Sequence, residues 1–203
     1  MRTFEFRLCL PCRVLVKAFG QTEGMRIVTL DQLIDTIEKS KQHRFLYHFT
    51  DEANFNSIDQ RGLVSKELMR KEGWWPDAPG GNSLSWSLDT NRGVDPYVSL
   101  CMTTNHSMKF VAERDGRLKS ARYLAISPSV LNTPGTKIAF GIANANGVEI
   151  LPIAEALEKL DVEVLYARTN WSDPAIQLRL RVAEKFEILV PNVVPRNLIA
   201  AVM

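Results

Sequence analysis

The chain has 203 residues, of which 45% are hydrophobic and 24% are charged, a composition that suits one folded domain or two small ones and excludes disorder throughout. Its longest apolar runs span about six residues, far below the roughly 18 to 20 that cross a bilayer, so no membrane-spanning segment and no membrane partner are expected. The 25 Lys and Arg residues nearly balance the 23 Asp and Glu, giving a net charge of +2, so any nucleic-acid site must be a local patch.

The amino-terminal stretch contains no complete functional motif. Cys9 and Cys12 form a C-x-x-C pair, but zinc needs four ligands and the rest of the chain offers no second pair at ligand spacing, so we expect no metal and no disulfide framework. The apolar stretch within residues 1–16 is short and broken by a proline, which argues against a secretory signal and favours a cytoplasmic protein. Residues 1–24 are interpreted as an extension of unclear role, and Met25 could equally be the start of the chain.

Local sequence patterns predict a mixture of helices and strands. A capping box of Thr29 with Gln32 begins the first helix, and a second helix is capped by Thr50 and ended by Gly62. In chain order the predicted elements are helix 30–41, strand 44–50, helix 51–61, strands 97–102 and 122–126, helices 152–160 and 174–183, strand 186–190 and a last strand near 198–202. Helices and strands do not alternate regularly, so an α+β fold is preferred over a doubly wound sheet. We expect residues 25–203 to form a single domain.

The segment from Gly73 to Gly93 has no clean hydrophobic period. It is rich in Gly, Pro, Asn and Ser, which predicts a long loop inside the domain. Loops of this length are usually functional or mobile.

Motifs of several enzyme classes are absent from the sequence, which has no Walker A loop, dinucleotide-binding glycine fingerprint, nucleophile elbow or H-E-x-x-H. Three polar residues instead lie on or beside apolar strands, where burial is costly unless the group is satisfied or used. They are His48 in LYHFT, Glu187 in FEILVP, and Arg92 in the predicted loop. Separately they could be a core histidine, a strand-end glutamate paired with Lys185 and a solvated arginine. Together they suit a substrate that carries phosphates and ribose hydroxyls.

Three longer segments carry a family resemblance, and they occur in order between about residues 44 and 199. They are LYHFTDEANFNSIDQRGLVS, DPYVSLCMTTNHSMKFVA and WSDPAIQLRLRVAEKFEILVPNVVP. These segments resemble the three signatures of the DarT-type ADP-ribosyltransferases. The resemblance implies an ADP-ribosyltransferase fold, in which two small facing β-sheets with surrounding helices enclose an NAD⁺-binding cleft.

The same resemblance implies an activity and partners. NAD⁺ would be the co-substrate, no metal would be needed, and ADP-ribose would pass to a base of single-stranded DNA. The protein would act as a toxin or phage-defence effector, paired with a macrodomain-type antitoxin. Two alternatives stay open: an enzyme of the same fold that modifies RNA or a protein, and a non-catalytic module that binds NAD⁺ or nucleic acid. Glu187 argues against the second, because a pseudoenzyme has no use for that carboxylate.

The resemblance also implies roles for individual residues. Glu187 would be catalytic, since a carboxylate beside the ribose favours the positive charge that develops when the glycosidic bond breaks. Arg92 would be the second catalytic residue, with His106 as the alternative at that position. The residues expected to hold NAD⁺ are His48, Phe49, Thr50, Ser57 and Arg92.

Single-stranded nucleic acid is bound by stacking and local positive charge. The residues expected to contact it are Trp171, Arg179, Arg181 and His106, with Trp74, Trp75 and Arg168 as further candidates.

Overall fold

A computed structural model describes residues 29–203 of the protein, and the predictions made for residues 1–24, including the Cys9 and Cys12 pair, lie outside this part. The helices are α1 Leu30–Lys39, α2 Phe55–Arg61, α3 Lys66–Glu72, α4 Ser83–Arg92, α5 Ser107–Arg114, α6 Ile153–Ala156, α7 Val162–Tyr166 and α8 Pro174–Ala183. Short 3₁₀ turns cover Glu52–Asn54, Pro128–Asn132, Leu157–Lys159 and Arg196–Leu198. No helix in this part combines the length and apolar character that spanning a bilayer requires.

The strands form one large antiparallel sheet and one small one. They are β1 Leu46–Asp51, β2 Leu63–Val64, β3 Tyr97–Cys101, β4 Ala121–Ile126, β5 Lys137–Ala139, β6 Ile150–Pro152, β7 Glu187–Pro191, β8 Val193–Val194 and β9 Ile199–Val202. The seven-stranded sheet has the order β6-β5-β7-β3-β1-β4-β9, and β2 pairs with β8 alone. Helices and antiparallel strands are thus mixed as the predicted α+β fold requires.

The large sheet is almost divided in its middle. Strand β1 pairs with β4 over its whole length, and β3 pairs likewise with β7. Strands β1 and β3, however, meet only at the pair of Tyr47 with Cys101. The sheet therefore consists of two smaller sheets, β1-β4-β9 and β3-β7-β5-β6, which part beyond this junction and leave room for a cleft.

The ends of the predicted elements follow local capping chemistry. The capping box of Thr29 with Gln32 is present at the start of α1, and Leu33 and Ile37 of that helix are buried in the main core. The prediction that Thr50 caps the second helix is wrong. The carboxylate of Asp51 caps the turn instead, accepting a hydrogen bond from Ala53 N at 3.1 Å.

The predicted loop over residues 73–93 is only half correct, because its second part is helix α4. Asn82 caps α4 through its side chain, and Gly93 ends it in the left-handed conformation. The helix was hidden because its sequence, SLSWSLDTNR, has few apolar residues and several that compete for backbone hydrogen bonds. Arg92 consequently lies in a helix rather than in a loop.

Gly62 provides a test of the connection between α2 and β2. Its φ of 77° and ψ of −164° belong to a region that only glycine occupies readily, and an added Cβ would overlap the carbonyl oxygen of Val194. We expect Gly62→Ala to lower the free energy of unfolding by about 3 kcal/mol. Gly73→Ala is the matched control, because Gly73 also has positive φ but nothing lies within 4 Å of its added Cβ; we expect a loss of about 1 kcal/mol. Urea denaturation measures the free energy of unfolding of both variants, and equal losses would contradict a clash at Gly62.

Candidate active site

A cavity of about 470 Å³ opens where the two smaller sheets part, a size typical of small-molecule sites. Strand β1 supplies His48, Phe49 and Thr50, β3 supplies Ser99, and β7 supplies Glu187. Four of the five residues predicted to hold NAD⁺ therefore line one cavity together with the predicted catalytic glutamate. They are His48, Phe49, Thr50 and Ser57.

His48 bridges the two strands just past their single backbone pair. Its Nδ1 lies 3.0 Å from the carbonyl oxygen of Ser99, and burial lowers its pKa, with the charge of Lys66 acting in the same direction. The ring is therefore neutral near pH 7. Because a carbonyl can only accept, Nδ1 carries the proton and Nε2 keeps a free lone pair. His48 can thus accept a hydrogen bond from a ligand hydroxyl.

Glu187 is the first residue of β7 and is almost fully buried. Burial raises its pKa from 4.5 to about 7, and the charge of Asp89 adds to this effect. Hydrogen bonds from the Ala143 backbone and the Ser99 side chain, together with the charge of Lys66, oppose it. The carboxyl is consequently poised to lose or take up a proton near neutral pH.

His106 packs directly behind this carboxyl group. It is 1% exposed, its Nε2 lies 3.4 Å from Glu187 Oε1, and burial lowers its pKa to about 4. The ring of Phe49 stacks on it at 6.1 Å between centroids. His106 lines the cavity beside the glutamate, and its predicted contact with nucleic acid stays a prediction.

A charged cluster that the sequence did not reveal also lines the cavity. Lys66 of α3 forms an ion pair with the buried Asp89 of α4, and Asn144 Nδ2 donates to Asp89 at 2.8 Å. All three line the cavity. Their local sequences read as ordinary solvated helix and loop, so only the tertiary fold shows that they share a site.

The mouth of the cavity is bordered by residues 73–82, which we call the tryptophan loop. The side chain of Asn54 holds this loop at Ala78. Asn54 Oδ1 accepts a hydrogen bond from Ala78 N at 2.9 Å, and Asn54 Nδ2 donates one to Ala78 O at 2.8 Å. Arg117 donates a further hydrogen bond to Gly80 O. Trp74 and Trp75 of this loop both line the cavity.

Arg92 does not line the cavity. Its Nη2 donates instead to the carbonyl oxygen of Val148 at 2.8 Å. The reason is the unpredicted helix α4, which places Arg92 at its carboxyl end, whereas Asp89 one turn earlier faces the cavity. The predicted contact between Arg92 and NAD⁺ therefore gains no support from the position of Arg92 and stays a prediction.

The other predicted nucleic-acid residues also lie away from the cavity; they are Trp171, Arg179, Arg181 and Arg168. The guanidinium group of Arg179 is already occupied by Asp161 and Glu163, with N to O distances of 2.6 to 2.7 Å. Its charge is thus neutralised within the protein, and the structure does not support it as a phosphate contact.

Comparison with known proteins identifies the family. The family model described as "DarT: ssDNA thymidine ADP-ribosyltransferase, DarT" matches residues 47–203. The chain belongs to the DarT family. The predicted family, the ADP-ribosyltransferase class and the single-stranded DNA target class are thereby confirmed. A search of curated protein sequences finds no match.

Solved DarT structures share this fold at low sequence identity. Thermus sp. 2.9 DarT in complex with ADP-ribosylated ssDNA is 17% identical, with a TM-score of 0.56 over 77% of this chain and 79% of that one. The same protein in complex with NAD⁺ gives 17% and a TM-score of 0.51, over 77% and 79% of the two chains. Thermosipho africanus DarTG in complex with ADP-ribose is 16% identical with a TM-score of 0.60, and the match covers 78% of this chain but 43% of that one.

The described residues show no metal centre. Within 29–203, no three His, Cys, Asp or Glu side chains are grouped so that they could hold a metal ion.

Burial of Glu187 makes a prediction about stability. Because its pKa is raised to about 7 in the folded protein, the folded state binds more protons than the unfolded state between about pH 4.5 and 7, and stability falls as pH rises through this window. Glu187→Gln removes the buried charge. We expect its free energy of unfolding to match the wild type near pH 4.5 and to exceed it by up to about 3 kcal/mol at pH 8. Urea denaturation at both pH values measures the difference, and a variant less stable at pH 8 would contradict the raised pKa.

Proposed function

We propose that this chain transfers ADP-ribose from NAD⁺ to a thymidine of single-stranded DNA, with Glu187 as its catalytic residue. The observation that carries the proposal is the position of this carboxyl group, buried in the cavity that His48 and Lys66 also line. The DarT match supports the acceptor and the reaction. The NAD⁺ complex of Thermus DarT supports the donor.

We propose separate partners on the cavity wall for the two ribose units and the diphosphate of NAD⁺. The lone pair on His48 Nε2 suits a hydroxyl of the adenosine ribose, and Glu187 suits the nicotinamide ribose. Lys66 acts electrostatically on both His48 and Glu187. Asp89 takes one of the three N–H donors of Lys66. We therefore assign the diphosphate, which joins the two ribose units, to the remaining donors of this ammonium group. Lys66 takes the part that the sequence analysis gave to Arg92.

Transfer breaks the bond between ribose C1′ and the nicotinamide nitrogen and forms a bond from C1′ to a nitrogen of the base. The bonding electrons leave with nicotinamide, which becomes neutral, while positive charge develops on the ribose. An ionised Glu187 stabilises that charge in a site of low dielectric constant. The attacking base must also lose a proton, which a carboxylate with a pKa near 7 can accept. His106 acts as a positioning residue, since it packs against Glu187 Oε1.

Labelled NAD⁺ tests the assignment directly. The protein is incubated with separate pools of single-stranded DNA, duplex DNA, RNA and protein, and the retained label is measured in each pool. Label confined to single-stranded, thymidine-containing DNA supports the proposal. Label retained only by protein or RNA would favour the alternative acceptors.

We also propose a biological setting. The match covers 43% of the Thermosipho DarTG chain, and that relative supports an antitoxin partner. Three points stay predictions: that the antitoxin is a macrodomain, that the protein is a toxin or phage-defence effector, and that it is cytoplasmic.

Loss of the Glu187 charge should abolish most of the activity. We expect Glu187→Gln to reduce transfer by about 10² to 10⁴ while NAD⁺ affinity is largely kept. In the wild type, kcat/KM should rise about tenfold per pH unit below pH 7 and level off above it, because the ionised form is required and the pKa is about 7. The kcat profile should inflect at lower pH, since the cationic nicotinamide ring favours the carboxylate. Unchanged turnover in Glu187→Gln would refute the mechanism.

The assignment of Lys66 predicts a phosphate-specific effect. Because Lys66→Met alone would leave Asp89 buried and unpaired, the test compares Asp89→Asn with Lys66→Met/Asp89→Asn. We expect the double variant to bind NAD⁺ and ADP-ribose about 10- to 100-fold more weakly than Asp89→Asn, since a charged hydrogen bond to phosphate is lost. Adenosine, which has no phosphate, should bind both variants equally. Isothermal titration measures all three ligands, and an equal loss for adenosine would contradict the assignment.

A further inference from the structure

The tryptophan loop presents an aromatic surface at the mouth of the cavity. We propose that Trp74 and Trp75 form a stacking platform for bases of the single-stranded DNA acceptor. The inference rests on the proposed function and adds to it the place where the acceptor strand is held.

The aromatic rings are arranged so that one side of each is supported. Trp75 stacks on Trp86 of α4, with ring centroids 5.1 Å apart and planes within 10°. The guanidinium carbon of Arg61 lies 5.0 Å from the ring centroid of Trp74. A tryptophan supported from behind in this way offers its outer surface to a further ring at little cost in conformational entropy.

The exposure of Trp74 and Trp75 leaves both side chains accessible to a ligand from solvent. Trp74 is 38% exposed and Trp75 is 49% exposed, although both line the cavity. Glu187, which we assign to the nicotinamide ribose, is only 7% exposed and lies deeper than the tryptophans. Ligands in pockets of this size are mostly enclosed, so half-exposed tryptophans at the rim suit the second substrate, whose chain must continue into solvent.

The charges beside the platform fit a polyanion. Arg61 is exposed at the end of α2 and lies over Trp74, so it can meet a backbone phosphate next to a stacked base. Aromatic rings flanked by cations are the usual means of holding single-stranded nucleic acid. Arg179, by contrast, lies outside the cavity and is already paired with two acidic residues.

The loop is also fixed in place before any ligand arrives. Asn54 holds both polar backbone groups of Ala78, and Arg117 holds the carbonyl of Gly80. The tryptophans are thus preorganised, and little ordering of the protein opposes binding.

The test compares Trp75→Ala and Trp74→Ala with Trp171→Ala, which removes the same side chain outside the cavity. Affinity for a fluorescently labelled, thymidine-containing oligonucleotide is measured by anisotropy, and affinity for NAD⁺ by isothermal titration. We expect each loop variant to bind the oligonucleotide about 5- to 100-fold more weakly, with NAD⁺ affinity unchanged. Trp171→Ala should match the wild type, and Trp75→Phe, which keeps a ring, should recover most of the affinity.

The outcomes separate this inference from the proposed function. If the wild type labels single-stranded DNA and the loop variants bind it as tightly as the wild type does, the platform is wrong and the proposed function stands. An equal loss of NAD⁺ affinity in Trp75→Ala also overturns the platform, because the tryptophans would then hold the adenine of the donor. If the wild type itself neither binds nor labels single-stranded DNA, both proposals fail together.

Discussion

The active-site cleft depends on one backbone pair. Tyr47 of β1 pairs with Cys101 of β3, and Cys101 in turn pairs with Glu187 of β7. A ladder that continued past Tyr47 would fill the space between the strands with backbone hydrogen bonds. Because the ladder stops there, the two strands separate. The carbonyl oxygen of Ser99 then accepts a hydrogen bond from the side chain of His48. The glutamate at the junction and the histidine at the opening are thus brought to one cavity by the same interruption of the sheet.

Low polarity inside the cleft governs the ionisation of its residues. The same burial raises the pKa of Glu187 and lowers that of His48 and His106, so the histidines act as neutral partners while the carboxyl group responds to pH near neutrality. An ionised carboxylate in such a place opposes folding and at the same time favours a cationic transition state. Under the proposed mechanism, catalysis and stability therefore make contrary demands on Glu187.

Much of the fold could be predicted because its signals are local. Helix α8 begins and ends where its proline and apolar spacing indicate, and the chain at Gly62 ends α2 as predicted. The sequence singled out His48 and Glu187, which line one cavity, because a polar residue in an apolar strand is conspicuous. Lys66 and Asp89 are 23 residues apart in sequence and meet only through the tertiary fold. Arg92 was predicted to lie in a loop because the Ser-rich helix that it ends has no apolar period.

The attachment of the tryptophan loop has a consequence for how this enzyme can diversify. Asn54 and Arg117 hold the loop by the backbone atoms of Ala78 and Gly80, not by their side chains. Hydrogen bonds to backbone atoms do not depend on which side chain the residue carries. Proline at position 78 is the exception, because it lacks the N–H. The side chains at positions 78 and 80 can therefore change while the path of the loop over the cleft persists. Selection can alter what the rim recognises without disturbing the walls below it.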